Sequence, residues 1–295
     1  MFPSITPEKS RTASSVLNAG QAWRWLLALA TFGTVFLTYC TSDKMLGGHP
    51  MAAAVAKYPA LLTPASYAFS MWETVFLALL SYAAWQLLPA QQTKVLPDAV
   101  AKPLTLASVG AGAWAVLFAQ ELVGPSLGVM LLVLGALVMA YGRVRRQVLA
   151  GTAPAAVGVP FSLFLGWFSV VAVLNVTTAL QQAGWLTSDA SALASALLVI
   201  VGLVVLTLVM SYLHGDMVFP VVVAWALVAV WVARLSTAPA LGWAALAGAA
   251  IAAIGGVILA QLGTRKTPWQ LREAAAAVIT ADIAARKAVA SRVSA

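Results

Sequence analysis

Charge is what this sequence has least of. Lys, Arg, Asp and Glu together make up 9% of its 295 residues, against roughly 25% in soluble domains. That excludes an ordinary solvated surface and predicts an integral membrane protein. Cys40 is the only cysteine, which rules out an intrachain disulfide and a cysteine-built metal site. The two histidines, His49 and His214, fall on opposite sides of the expected membrane and cannot share a metal ion or a catalytic triad. No GxSxG, HExxH, P-loop or dinucleotide fingerprint is present, and the nine acidic residues are scattered singly. No enzyme is expected from these residues, and no metal site.

Apolar residues fill the space that charge leaves, at 62% of the chain and a mean hydropathy of +0.92. Eight apolar runs are long enough to span a bilayer, at about residues 23–39, 67–88, 103–120, 125–141, 159–181, 190–213, 217–233 and 241–262. The expected architecture is an all-α polytopic membrane bundle. The first run has no small-residue cleavage pattern after it and is read as a retained span. Residues 1–22 then form a cytoplasmic N-terminal segment. A short Ser/Thr-rich start leaves an organelle membrane as the lesser alternative to the inner cell membrane.

The formal net charge of +8 orients the chain and does not suggest a nucleic-acid partner. With the N-terminus inside, the cytoplasmic segments hold Lys9, Arg11, Arg24, Lys94, Lys102, Arg143, Arg145, Arg146, Arg265, Lys266, Arg272, Arg286, Lys287 and Arg292. The other side holds Lys44, Lys57 and Arg234. This positive-inside bias puts both termini in the cytoplasm. Residues 263–295 form a basic tail, in which Pro268 follows Thr267 at a good helix start and predicts a helix to about Val289.

Glu73 is the residue that a membrane helix should least tolerate without a reason. Read as one helix, residues 67–88 put Phe69, Trp72, Glu73 and Phe76 at i, i+3, i+4 and i+7, on one face. Two other spans show aromatic faces with a polar group. Trp114, Phe118 and Glu121 line one side of the third, after the small residues Gly110 to Ala113, which permit close helix approach. Trp167, Val171, Asn175 and Thr178 line one side of the fifth. Counting 1.5 Å per residue places Glu73 and Asn175 about 9 Å below the outer surface and Glu121 at the boundary. All three polar groups then fall in the outer half, beneath the connection of residues 40–66. Its prolines Pro59 and Pro64 favour a packed lid. Each has a plainer alternative: a helix–helix hydrogen bond for Asn175, ordinary packing for Trp114 and Trp167, a structural pair for Glu73.

The segment from Tyr58 through Pro64, Tyr67, Phe69, Trp72 and Thr74 to Phe76 resembles the loop and second helix of the TspO/MBR family. That family comprises the tryptophan-rich sensory proteins and the translocator protein. A second block, Val159, Pro160, Trp167, Ala172 and Asn175, is similar to the family's fifth helix, and the Trp114 and Phe118 region corresponds loosely to its third. The resemblance covers about residues 20–183. It implies a TspO-like five-helix unit at residues 23–183, followed here by a three-helix extension at 184–262, as in longer relatives. Glu73 stands where the family usually has a small or hydroxylated residue, and no Asn precedes Trp114.

The resemblance further implies a bundle that binds flat hydrophobic molecules, often as a homodimer. The expected function is a membrane receptor or sensor for a tetrapyrrole or sterol-class ligand, with a porphyrin or haem-like molecule as the candidate and no covalent cofactor. Its expected pocket comprises Tyr67, Phe69, Trp72, Glu73, Phe76, Trp114, Phe118, Trp167 and Asn175. The alternative is a proton-coupled secondary transporter of a small lipophilic molecule using Glu73. A tetrapyrrole-modifying enzyme is a third possibility, for which the sequence offers no catalytic constellation.

Overall fold

The computed structural model describes residues 8–42, 61–185 and 189–266, together with 277, 279–280 and 282–284 of the tail. Of the expected tail helix only residues 277, 279–280 and 282–284 are described, all helical, and most of the 40–66 connection falls outside the described residues. Those described form eight helical rods. In chain order they are α1 (Glu8–Ser42), α2 (Met71–Leu87), α3 (Val95–Ala119), α4 (Val123–Leu149), α5 (Val159–Gln182), α6 (Asp189–His214) and α7 (Val218–Arg234). The last rod is α8 (Pro239–Ala250), continued through a π-helical turn (Ile251–Gly255) into α9 (Gly256–Lys266). Five of these rods are long and apolar enough to cross a membrane, those built on α3, α4, α5, α6 and α8–α9, and α7 is a shorter apolar helix.

Glycine sets how closely the first helices approach. A Cβ on Gly110 would lie 2.6 Å from Val133 of α4, and one on Gly112 would lie 3.3 Å from Leu37 and 3.4 Å from Thr34 of α1. The small-residue stretch of α3 therefore serves two neighbours, α4 on one side and α1 on the other. The α3–α4 hairpin is as tight as its sequence requires. Leu122 N–H bonds the Leu117 carbonyl and Glu121 N–H the Phe118 carbonyl, a Schellman closure with Glu121 at the left-handed position (φ 60°).

Polar groups tie the bundle at the end that carries most of the basic residues. Arg24 of α1 is 4% exposed. Its Nε donates to Asp98 of α3 at 2.7 Å, and its other nitrogens donate to the carbonyls of Gln91 at 2.8 Å and Lys94 at 3.1 Å. The Gln86 side chain of α2 closes the knot by donating to the Arg24 carbonyl at 3.0 Å. Asp98 has this role because α3 begins at Val95, eight residues before the start expected at Pro103. The two prolines of its first turns, Pro97 and Pro103, are accommodated within the helix.

The same end fastens α6 and α7 to α4. Arg145 donates to the His214 carbonyl at 3.0 and 2.6 Å and to the Gly215 carbonyl at 2.7 Å, satisfying the end of α6. One turn earlier on α4, the Tyr141 hydroxyl donates to Asp216 at 2.9 Å. Asp216 in turn accepts the Val218 N–H at 2.8 Å and caps α7. Gly215 (φ 60°) makes the turn. α5 is the central rod, packed against α2, α4 and α7. That placement explains why it is buried on nearly every side.

Candidate functional site

Three helices bring one tryptophan each to a common centre. Trp72 lies in the first turn of α2, Trp114 near the end of α3 and Trp167 in the first half of α5, with 8%, 1% and 0% of their surfaces exposed. Trp72 stacks on Trp114 (centroids 6.0 Å apart, planes at 28°) and meets Trp167 edge-on (6.1 Å, 87°). Phe76 stacks on Trp72 at 5.4 Å and Phe118 on Trp114 at 5.5 Å, each one turn along its own helix. Phe69 approaches Trp167 edge-on at 6.4 Å. Each such pair adds roughly 0.5–1.5 kcal/mol beyond the area it buries.

The polar character of this centre is one-sided. The indole N–H groups of Trp72, Trp114 and Trp167 are all buried and have no hydrogen-bond partner. An unsatisfied buried donor costs about 1–3 kcal/mol, so three of them around one aromatic cluster make a site that favours an acceptor. Among the described residues, no group of three or more His, Cys, Asp or Glu stands together to hold a metal ion.

Three of the expected pocket residues lie elsewhere. Glu73 is exposed, on the outward side of α2. The cause lies within α2 itself: at 3.6 residues per turn Glu73 is about 100° around the helix from Trp72, and Phe76 only about 40°, so the acid falls past the edge of the buried face. Residues Ser66–Ser70 form a 3-10 turn, and α2 begins at Met71. Glu73 then falls in the first turn of α2, where a carboxylate suits the positive end of the helix dipole. Asn175 is buried as expected, but its amide donates to Ser126 Oγ of α4 at 3.1 Å, while Ser126 donates to the Val123 carbonyl at 2.8 Å. It is a helix–helix hydrogen bond. Tyr67 turns away from the cluster and sets its ring edge-on to Trp225 of α7 at 5.3 Å.

The sequence reading missed Phe168, which meets Trp72 at 6.2 Å and Trp114 at 5.5 Å and is backed by Phe164 at 5.6 Å. Phe161, Phe164 and Phe168 recur at i, i+3 and i+7, a signal that was available. It was passed over because Trp167 and Asn175 mark an adjacent face, and a helix buried on two sides shows two faces at once.

These features fit one family. A family model described as TSPO-like protein matches residues 24–258, most of the chain. The chain belongs to the TSPO-like protein family. The match takes in α6, α7 and most of the last rod as well as the first five helices, so this is a multi-pass membrane protein of TSPO-like type. Comparison with curated proteins and with solved structures gives no significant match.

Proposed function

We propose that this TSPO-like protein is a membrane receptor or sensor that binds a planar apolar ligand of the tetrapyrrole or sterol class in the Trp72–Trp114–Trp167 cluster. The observation that carries the reading is the set of three buried indole N–H donors without partners. The faces of Trp72 and Trp114 are stacked on each other and on Phe76 and Phe118, so a flat ligand enters by parting that stack, and its carboxylate, carbonyl or hydroxyl oxygen satisfies the N–H groups at its edge. Phe76, Phe118 and Phe168 supply the apolar walls. The ligand's polar edge is met by donors, in place of the acid and amide that the sequence suggested.

In this reading all eight rods span the inner cell membrane, with both termini cytoplasmic and the site in the outer half. The transporter alternative rested on Glu73 facing the bundle interior. Glu73 faces outward, and nothing else among the described residues favours that reading.

The test is a titration of the purified protein in lipid nanodiscs with protoporphyrin IX and, separately, cholesterol. Tryptophan quenching reads the porphyrin, and a thermal shift reads both. Saturable quenching that is weakened in Trp114→Phe supports the site. A titration with no saturable component for either ligand removes the reading.

A further inference from the structure

The three-helix extension packs through α7 on α5, the helix of Trp167, and α7 also holds the piece of chain that leads into Trp72. Residues 61–70 run from the outer end of α7 to the first turn of α2. Before the 3-10 turn at Ser66–Ser70 this segment has no regular structure to satisfy its backbone, so its polar groups need partners from elsewhere. α7 supplies them. Arg234 Nε donates to the Leu61 carbonyl at 2.8 Å and Arg234 Nη2 to the Thr63 carbonyl at 3.4 Å. The Ala65 N–H donates to the Ala229 carbonyl at 3.0 Å, and Trp225 Nε1 donates to the Ala68 carbonyl at 3.3 Å. The Tyr67 ring rests on Trp225.

Four hydrogen bonds, spread over residues 61 to 68, thus go to one helix. At its far end the same segment carries Phe69 against Trp167 and leads directly into Trp72. Leu61 and Leu62 lie on α5 between these two attachments. Together with Val173, Val176 and Ala196 they line an apolar cavity of about 220 Å³ between α5 and α6. Any shift of the segment has that space to move into.

From this geometry we infer that α7 holds the roof of the ligand site, with Arg234 and Trp225 as positioning residues that set the rates of ligand entry and exit. The inference rests on the ligand-site reading above. Trp72, Trp114 and Trp167 are buried, so a ligand reaches them only when a covering element moves. Among the described residues around the cluster, 61–65 have no helical ladder of their own, which favours their opening ahead of the helices. Arg234 contributes two charge-assisted bonds to backbone carbonyls, and the one to Leu61, at 2.8 Å, is the shortest of the set. Removing them lowers the cost of opening without touching the ligand. Entry and exit then speed up together while the equilibrium affinity stays nearly constant.

The experiment uses the full chain in nanodiscs and compares wild type with Arg234→Ala, Arg234→Lys and Trp225→Phe. Trp225→Phe removes only the indole donor and keeps a ring for Tyr67. Amide hydrogen exchange needs no ligand: Arg234→Ala is expected to speed exchange at Ala65 and Ala68 about tenfold, equivalent to ~1.4 kcal/mol, and to leave α3 unchanged. Stopped-flow quenching by protoporphyrin IX is expected to show association and dissociation both accelerated in Arg234→Ala, with partial rescue by Arg234→Lys. Unchanged exchange at residues 61–70 overturns the holding role. Faster exchange with unaltered porphyrin rates overturns its control of the site. A wild-type protein that binds no porphyrin fails before any variant is compared, and that failure belongs to the ligand-site reading, which takes the control of entry with it.

Discussion

Trp72 and Trp114 stack with their ring centroids 6.0 Å apart, yet neither indole N–H has a partner. α2 and α3 are consecutive helices, both packed against α1, and α5 brings Trp167 and Phe168 to the point where their tryptophans meet. A cluster needed only for packing would be served as well by Phe or Leu, which bury no donor. The indoles keep three N–H groups in an apolar setting at about 1–3 kcal/mol each. That argues for an oxygen acceptor arriving from outside the chain.

Glu73 is predicted to matter little. Glu73→Gln removes a favourable interaction with the α2 dipole worth a few tenths of a kcal/mol. Thermal unfolding in nanodiscs is expected to shift by no more than a degree or two, and porphyrin titration is expected to match wild type. A large loss of affinity in this variant would restore Glu73 to the site.

Asn175 is predicted to act on stability and not on ligand affinity. Asn175→Ala breaks the bond to Ser126, which in membrane bundles is worth about 0.6 kcal/mol and at most ~1.7. A double-mutant cycle with Ser126→Ala, read by thermal unfolding, should return a coupling of that size. Coupling near zero would mean that the α4–α5 contact does not depend on this pair.

Arg24 is predicted to be the more costly residue to lose. Arg24→Met leaves Asp98 without its cation and the carbonyls of Gln91 and Lys94 without their donor. Breaking a fully buried pair from one side costs about 3–5 kcal/mol; this pair is part-buried, so a loss below that range, with earlier thermal unfolding, is expected. Adding Asp98→Asn should recover part of the loss, because it removes the uncompensated charge.

Gly110 is predicted to accept no side chain freely. Gly110→Val drives atoms into Val133 of α4, which would lie 2.6 Å from the new Cβ. Overpacking of this kind costs roughly 1–3 kcal/mol. Gly135, with open space around it, is the control, and Gly135→Ala should leave the unfolding temperature unchanged or raised.

The aromatic half of the site was legible in the sequence because helical spacing is a local property. Trp72 with Phe76, Trp114 with Phe118, and Trp167 each sit on the side of the helix that the pattern indicated. The polar half was not legible. Glu73 sits about 100° around α2 from Trp72, at the edge of the aromatic face, and which edge residues are buried is decided by the neighbouring helices and not by the spacing. The partner of Asn175 is Ser126, a residue with no pattern of its own. The role of Arg234 was also hidden, since its acceptors are backbone carbonyls at Leu61 and Thr63, and a carbonyl leaves no mark in a sequence. The fold itself was plain from hydropathy, apart from the start of α3, where Pro97 and Asp98 look like a turn.

The most direct test of the central claim is porphyrin binding by variants that keep the rings and remove the donors. Trp72→Phe, Trp114→Phe and Trp167→Phe are each titrated with protoporphyrin IX in nanodiscs alongside Glu73→Gln. Ligand absorbance in a filtration assay serves as the readout, so that loss of a fluorophore does not matter. The account predicts that each Phe variant binds about tenfold more weakly, as expected for one hydrogen bond lost at ~1.4 kcal/mol, and that Glu73→Gln binds like wild type. Full affinity in all three Phe variants would contradict it.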